Sequence, residues 1–179
     1  KTLDRLGVSA VILEDKVGLK KNSLFKNQSG VKQDAIKDFC KKISVAKSAQ
    51  VSKDFMVIAR IESFILGKST NDAIKRANQY SKAGADAILI HSKESTPKQI
   101  FSFAKKFRKS NNFIPLIAVP STYSKVTEKK LIENGFKIVI YANHMLRASY
   151  PGMVDVAKSI LQNQRSHEFE KKLIPIKKI

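Results

Sequence analysis

GADAILIHSK, residues 84–93, carries the fold in ten residues. It opens on a glycine, the residue that most readily adopts the left-handed conformation closing a helix. ADAILI (85–90) follows, a short apolar run that is continuous rather than alternating. A strand of that kind is buried on both faces, as in a parallel sheet covered by helices. The chain then turns polar at His91, Ser92 and Lys93. GVSAVIL (7–13) and GFKIVIY (135–141) repeat the pattern weakly, and FMVIA (55–59) and PLIAV (115–119) add two further runs. The runs begin ~20–45 residues apart, the scale of βα units with crossover helices.

The intervening segments have helical spacing. In STNDAIKRANQYSKAGA, Ala73, Ala77 and Tyr80 share a stripe, Ser69 or Asn71 is placed to cap the start, and Gly84 to end it. In TPKQIFSFAKKFRK, Ile100, Phe103, Ala104 and Phe107 form the i, i+3, i+4, i+7 stripe, and TEKKLIENG is a shorter helix ending at Gly135. Cys40, in DAIKDFCKKI, falls on an apolar helix side and reads as a core residue. A last helix is expected over about 152–163, with 164–179 a tail or linker and no domain boundary elsewhere within 1–179. Alternating strands and helices mean an α/β fold with a parallel sheet. Five units are too few to close a (β/α)₈ barrel, which uses ~250 residues, and an open five-stranded sheet has the same periodicity. The chain opens within a helix, KTLDRLG, without a methionine, so a fragment is the expectation.

At 179 residues, 42% hydrophobic, with mean hydropathy −0.24, the chain has material for one ordinary core. No apolar stretch approaches the ~20 residues of a membrane span, and no secretory signal is visible. The single cysteine excludes an intramolecular disulfide framework, so a cytoplasmic protein without a membrane partner is expected. The net charge of +19 is almost all lysine, scattered in singles and pairs, with only Arg5, Arg60, Arg76, Arg108, Arg147 and Arg165 beside it. That describes a lysine-rich solvated surface attractive to small anions; a nucleic-acid reader would lean on arginine forks. No P-loop, dinucleotide or zinc motif is present.

Ligands of α/β folds sit at the carboxyl ends of the strands. Those ends carry Glu14, Asp15 and Lys16; Arg60 and Glu62; His91, Ser92 and Lys93; Pro120, Ser121 and Thr122; Asn143 and His144. Such a set suits a divalent cation and an anionic substrate. Each member has a plainer reading too. The two acids could open a solvated loop, Arg60 could pair with Glu62, His91 could be a core histidine, and Asn143 could cap the helix that follows. After the first strand comes EDKVGLKKNSLF (14–25), an acidic strand end running into a loop of lysine, asparagine and serine.

EDKVGLKKNSLF, IARIES, GADAILIHSK and YANHMLRASYPGM, in this order over essentially the whole chain, resemble the phosphoenolpyruvate phosphomutases of the isocitrate lyase/phosphoenolpyruvate mutase superfamily. The resemblance implies a (β/α)₈ TIM barrel of which this chain holds about the last five βα units, the first three strands being absent. It implies a dimer or tetramer exchanging a helix, and Mg²⁺-dependent interconversion of phosphoenolpyruvate and phosphonopyruvate. By the same resemblance Glu14 helps hold Mg²⁺ through water. Lys20, Asn22 and Ser23 belong to a gate loop, with Asn22 and Ser23 on the phosphoryl group, and Arg60 and His91 grip its oxygens. The acids of EDK then serve the metal, and the loop is a lid.

Relatives that cleave carbon–carbon bonds carry Lys-Arg-Cys-Gly-His in the lid; this lid reads Lys-Lys-Asn-Ser-Leu and lacks the titratable cysteine. Phosphonopyruvate hydrolase differs mainly in admitting water. A non-catalytic anion-binding barrel is the third alternative. Gly18-Leu19 stands where many mutases have Phe-Pro. The family's principal metal-binding aspartates lie on the strands absent here, so the 179 residues alone are expected to be inactive.

Overall fold

The computed structural model describes residues 1–18, 21–24, 28–110 and 113–178, in two compact units, Lys1–Ile140 and Tyr141–Ile179. In the first unit, α1 (Thr2–Arg5) leads into β1 (Ala10–Glu14) and a small ribbon, β2 (Lys16–Val17) and β3 (Lys32–Gln33). Then follow α2 (Ile36–Ser48), β4 (Met56–Ile61), α3 (Thr70–Lys82), β5 (Ala87–Ile90), α4 (Lys98–Arg108), β6 (Leu116–Ala118), α5 (Glu128–Glu133) and β7 (Phe136–Val139). The sheet order β1-β4-β5-β6-β7 is sequential, and every pairing is parallel. All five apolar runs became strands.

The pleat divides each strand between two environments. Val57, Ala59 and Ile61 of β4 and Ile88 and Ile90 of β5 pack on the helices, against Phe39, Ile43, Ala73, Ala77, Tyr80, Ile100, Phe103 and Phe107. Ile58, Ala87, Leu89 and Ile117 form a second cluster on the face those helices do not cover. Phe103 stacks on Phe107 at 5.5 Å and meets Phe64 edge-on at 6.4 Å. Burying each such ring contributes about 1.5–3 kcal/mol.

The helix ends follow the sequence. Ser69 accepts a hydrogen bond from the Asp72 amide and Thr127 one from the Lys130 amide. Gly84 has φ +104°, and a Cβ there would stand 3.2 Å from Lys47 Cγ, so both conformation and space favour glycine. Two residues on, the Asp86 carboxylate takes the Lys47 ammonium at 2.8 Å and the Val57 amide at 2.7 Å, pinning the start of β5 beside β4.

In the second unit the final helix, α6 (His144–Asn163), starts eight residues before the expected position at 152. Pro151 lies inside α6, where it gives up one ladder hydrogen bond. Asn143 takes the cap position with no side-chain cap bond. Among the described residues, no helix is long and apolar enough to cross a membrane.

Candidate active site

Glu14 lies opposite Arg60 in the parallel register of β1 and β4. Lys16 and Glu62 each follow two residues later, so one pleat face presents acid–base and base–acid pairs side by side. The Lys16 ammonium lies 3.1 Å from Glu14 and 3.0 Å from Glu62. Arg60 Nε donates to Glu62 Oε1 at 2.7 Å, and its Nη2 lies 3.6 Å from Glu14. Glu62 is wholly buried. Burial pushes its carboxyl pKa up, but Arg60 and the hydrogen bonds from Ser23 and Lys16 outweigh that, leaving it below the usual carboxylate value.

Ser23 reaches into this cluster from the loop between β2 and β3. Its hydroxyl donates to Glu62 Oε2 at 2.6 Å and accepts from Arg60 Nη2 at 2.7 Å and Lys16 Nζ at 2.9 Å. That uses the one donor and two acceptor sites a hydroxyl has, so Glu14 Oε1, at 3.5 Å, is a neighbour only. Asn22, one residue earlier, is exposed, and its side-chain oxygen accepts from the Leu24 amide at 2.9 Å, holding a local turn. The structure therefore brings Ser23 but not Asn22 to the cluster. Lys20 lies outside the described residues.

His91 follows Ile90, which pairs with Ile61 of β4, so it stands beside Glu62. It is 5% exposed, and its Nδ1 is buried without a hydrogen-bond partner among the described residues. Burial first, then the positive charges of Arg60 and Lys16, push its pKa down to about 4 against the opposing pull of Glu62. At neutral pH it is thus a neutral imidazole with one buried ring nitrogen unpartnered among the described residues. A cleft of about 690 Å³ lined by Gln33 and Ile65 with Lys32, Lys68 and Lys93 has none of the cluster residues in its walls, so it is separate from the cluster.

Asp15 goes the other way. It is wholly buried on the helix-covered side, where its carboxylate meets Tyr80 and Arg76 of α3. Burial raises its pKa to about 6, opposed by the Glu62 amide, Tyr80, Arg76 and Gln33. The expectation that both acids of EDK serve a metal therefore holds at most for Glu14. Ser92 also turns to the helices, donating to Gln99 at 2.7 Å, and Thr122 donates to the Ser92 carbonyl at 3.2 Å. Lys16 and Glu62, which bind the cluster together, stand among the strand-end residues in the sequence reading but received no role there. The signal was available in E-x-K and R-x-E, two same-face charge pairs at neighbouring strand ends.

Among the described residues no three histidine, cysteine or acidic side chains converge as a metal site. The Glu14 carboxylate is already engaged by Lys16 and faces Arg60. These residues do not make a Mg²⁺ site of their own.

Residues 1–161 match the family model described as phosphoenolpyruvate phosphomutase. The chain is 37% identical over 180 residues to the phosphoenolpyruvate phosphomutase of Tetrahymena pyriformis, covering 100% of this chain and 58% of that protein. The crystal structure of a phosphoenolpyruvate phosphomutase from Streptomyces platensis subsp. rosaceus superposes with TM-score 0.89 at 35% identity, over 98% of this chain and 59% of that one. A phosphonopyruvate hydrolase crystallised with oxalate and Mg²⁺ superposes with TM-score 0.83 at 34% identity, over 97% of this chain and 58% of that one. The chain thus spans somewhat over half the length of these relatives, and its five parallel strands are part of their barrel.

Proposed function

The chain belongs to the phosphoenolpyruvate phosphomutase family, and on that premise we propose that the whole protein interconverts phosphoenolpyruvate and phosphonopyruvate. The observation that carries this reading is the Ser23 hydroxyl seated between Arg60 and Lys16, at a strand-end cluster beside a neutral buried histidine. A phosphoryl group in transfer is metaphosphate-like, with its charge on the equatorial oxygens, so catalysis is mostly positioning and electrostatic stabilisation. In this reading Arg60, through the N–H groups not bonded to Glu62 and Ser23, and His91 would hold those oxygens. Ser23, whose one hydroxyl proton goes to Glu62 in the structure, would turn it to the phosphoryl group on binding, and its loop, with Lys20 and Asn22, would close the site to water. Exclusion of water decides the outcome, because water would capture the phosphoryl group as phosphate.

The cluster pairs two cations with two carboxylates, so an incoming multiply charged anion needs further positive charge. A bound Mg²⁺ would supply that charge as a Lewis acid. In this proposal Glu14 would help hold the ion through water. A homo-oligomer with an exchanged helix, a cytoplasmic location, and one barrel domain over 1–179 with a tail from about 164 belong to the same proposal.

The second reading, phosphonopyruvate hydrolysis, is favoured by the likeness to the hydrolase structure. The test is ³¹P NMR of the whole protein with phosphonopyruvate and Mg²⁺. The signal is expected to move to phosphoenolpyruvate. Direct appearance of inorganic phosphate would establish the hydrolase instead. No conversion by folded protein would leave a barrel that only binds anions.

A further inference from the structure

Asp15 is a strand-end acid that the proposed chemistry does not use, yet its carboxylate is the most heavily bonded in the described chain. Its Oδ1 accepts from the Glu62 amide at 2.9 Å. Its Oδ2 accepts from Gln33 Nε2 at 2.8 Å and Tyr80 Oη at 2.8 Å, with Arg76 Nη1 at 3.4 Å. The backbone repeats the connection, because the Asp15 amide donates to the Arg60 carbonyl at 3.1 Å and the Asp34 amide to the Asp15 carbonyl at 3.0 Å. Arg76 is itself held, donating to the Asp34 carbonyl at 2.8 Å and to Asp72 at 3.0 Å. Three separate pieces of chain, the end of β4, the return strand β3 and helix α3, therefore meet at one buried carboxylate.

Stability alone does not call for such an arrangement, since well-packed apolar side chains often match or better a buried ionic group. What directed hydrogen bonds add is a fixed geometry. We propose that Asp15, supported by Tyr80 and Arg76, is a positioning residue that sets Glu62 and the β2–β3 ribbon in place. It thereby aims Lys16, Arg60 and Ser23 at the transferring group. It acts through Glu62, whose carboxylate orders those three side chains, and through Gln33, which anchors the strand returning from the loop. Its effect on turnover rests on the function proposed above.

The test uses the whole protein with two near-isosteric replacements. Asp15→Asn keeps an acceptor for the Glu62 amide but turns an NH₂ toward the Arg76 guanidinium, which has no acceptor to offer. Misplacement of reacting groups by ~1 Å costs about 10²-fold, so kcat is expected to fall about 10- to 100-fold with KM within about 3-fold. Tyr80→Phe removes one donor and keeps the ring against Phe39, 4.6 Å away, so it should fold normally and lose about 3- to 10-fold in kcat, less than a full misplacement. Amide exchange at Glu62 and Asp34, measured without substrate, should accelerate in Asp15→Asn. Unchanged kcat in both folded variants, or activity that tracks only the fraction folded, overturns the proposal. If the wild-type protein converts neither substrate, the functional reading fails, and exchange decides the positioning. Faster exchange at Glu62 and Asp34 retains the clamp, and unchanged exchange removes it.

Discussion

Glu14 and Asp15 are chain neighbours with the same formal charge, and the pleat sends them to opposite sides of the sheet. Glu14 joins Lys16, Arg60, Glu62 and Ser23 on the face the helices leave open, part exposed and within reach of a ligand. Asp15 is sealed among Tyr80, Arg76 and Gln33 on the helix side. The same division runs through the other strand ends. Arg60 and His91 face the cluster, whereas Ser63 donates to Asp72 and Ser92 to Gln99 on the helices. One face carries the groups to which the proposed function assigns the ligand, and the other carries the bonds that hold those groups still. Damage to the apolar packing on the helix side should therefore appear as lost stability, damage to the Asp15 clamp as lost positioning, and damage to the open face as lost turnover in a protein that still folds.

The largest effect belongs to the helix side. Phe103→Ala empties a fully buried site between Phe64 and Phe107 and should cost about 3–5 kcal/mol of unfolding free energy, read from a urea midpoint. The molecules still folded should keep ordinary turnover. Next comes Arg60→Ala on the open face. Loss of a charged donor from the transferring group should lower kcat about 10²- to 10³-fold with the circular dichroism spectrum preserved. Equal turnover would remove Arg60 from the mechanism and erase the distinction between the faces.

His91 makes the comparison testable by pH. Its folded pKa of about 4 lies below the ordinary 6.5, so between those values the unfolded chain binds the proton that the folded one refuses. Stability should be complete above about pH 6.5 and fall as the pH drops toward 4, by roughly 3 kcal/mol in total at ~1.4 kcal/mol per unit. Arg60 and Lys16 oppose the imidazolium and Glu62 favours it, so the fall should shrink in Arg60→Ala. An imidazole NMR titration of His91 near pH 6.5 would refute the buried, neutral assignment.

The sequence shows the open sheet well and the site unevenly, for identifiable reasons. Strands buried on both faces announce themselves as unbroken apolar runs, and all five did. The β2–β3 ribbon does not, because Lys-Val paired with Lys-Gln has neither length nor an apolar period. Arg60, His91, Glu14 and Ser23 could be picked out by position and resemblance. Asp15 could not be told from Glu14, since adjacent acids look alike until the parity of the strand is extended past its end. Asn22 was read together with Ser23, but one residue of loop separates a buried hydroxyl from an exposed turn.

The smallest expected effect tests the stabilising side alone. Helix α5 is only six residues long, and Thr127 accepts from the Lys130 amide at 3.3 Å, satisfying one of its orphan donors. Thr127→Ala should cost about 1 kcal/mol, a typical N-cap loss. The cap precedes β7, whereas the cluster is built from β1, β4, β5 and the β2–β3 loop, so kcat and KM of the whole protein should be unchanged. The urea midpoint should move without a change in slope. A fall in kcat beyond about twofold, ~0.4 kcal/mol on the barrier, would mean that strain at this distant helix start reaches the cluster. The separation of holding from reacting groups would then be less sharp than the pleat makes it.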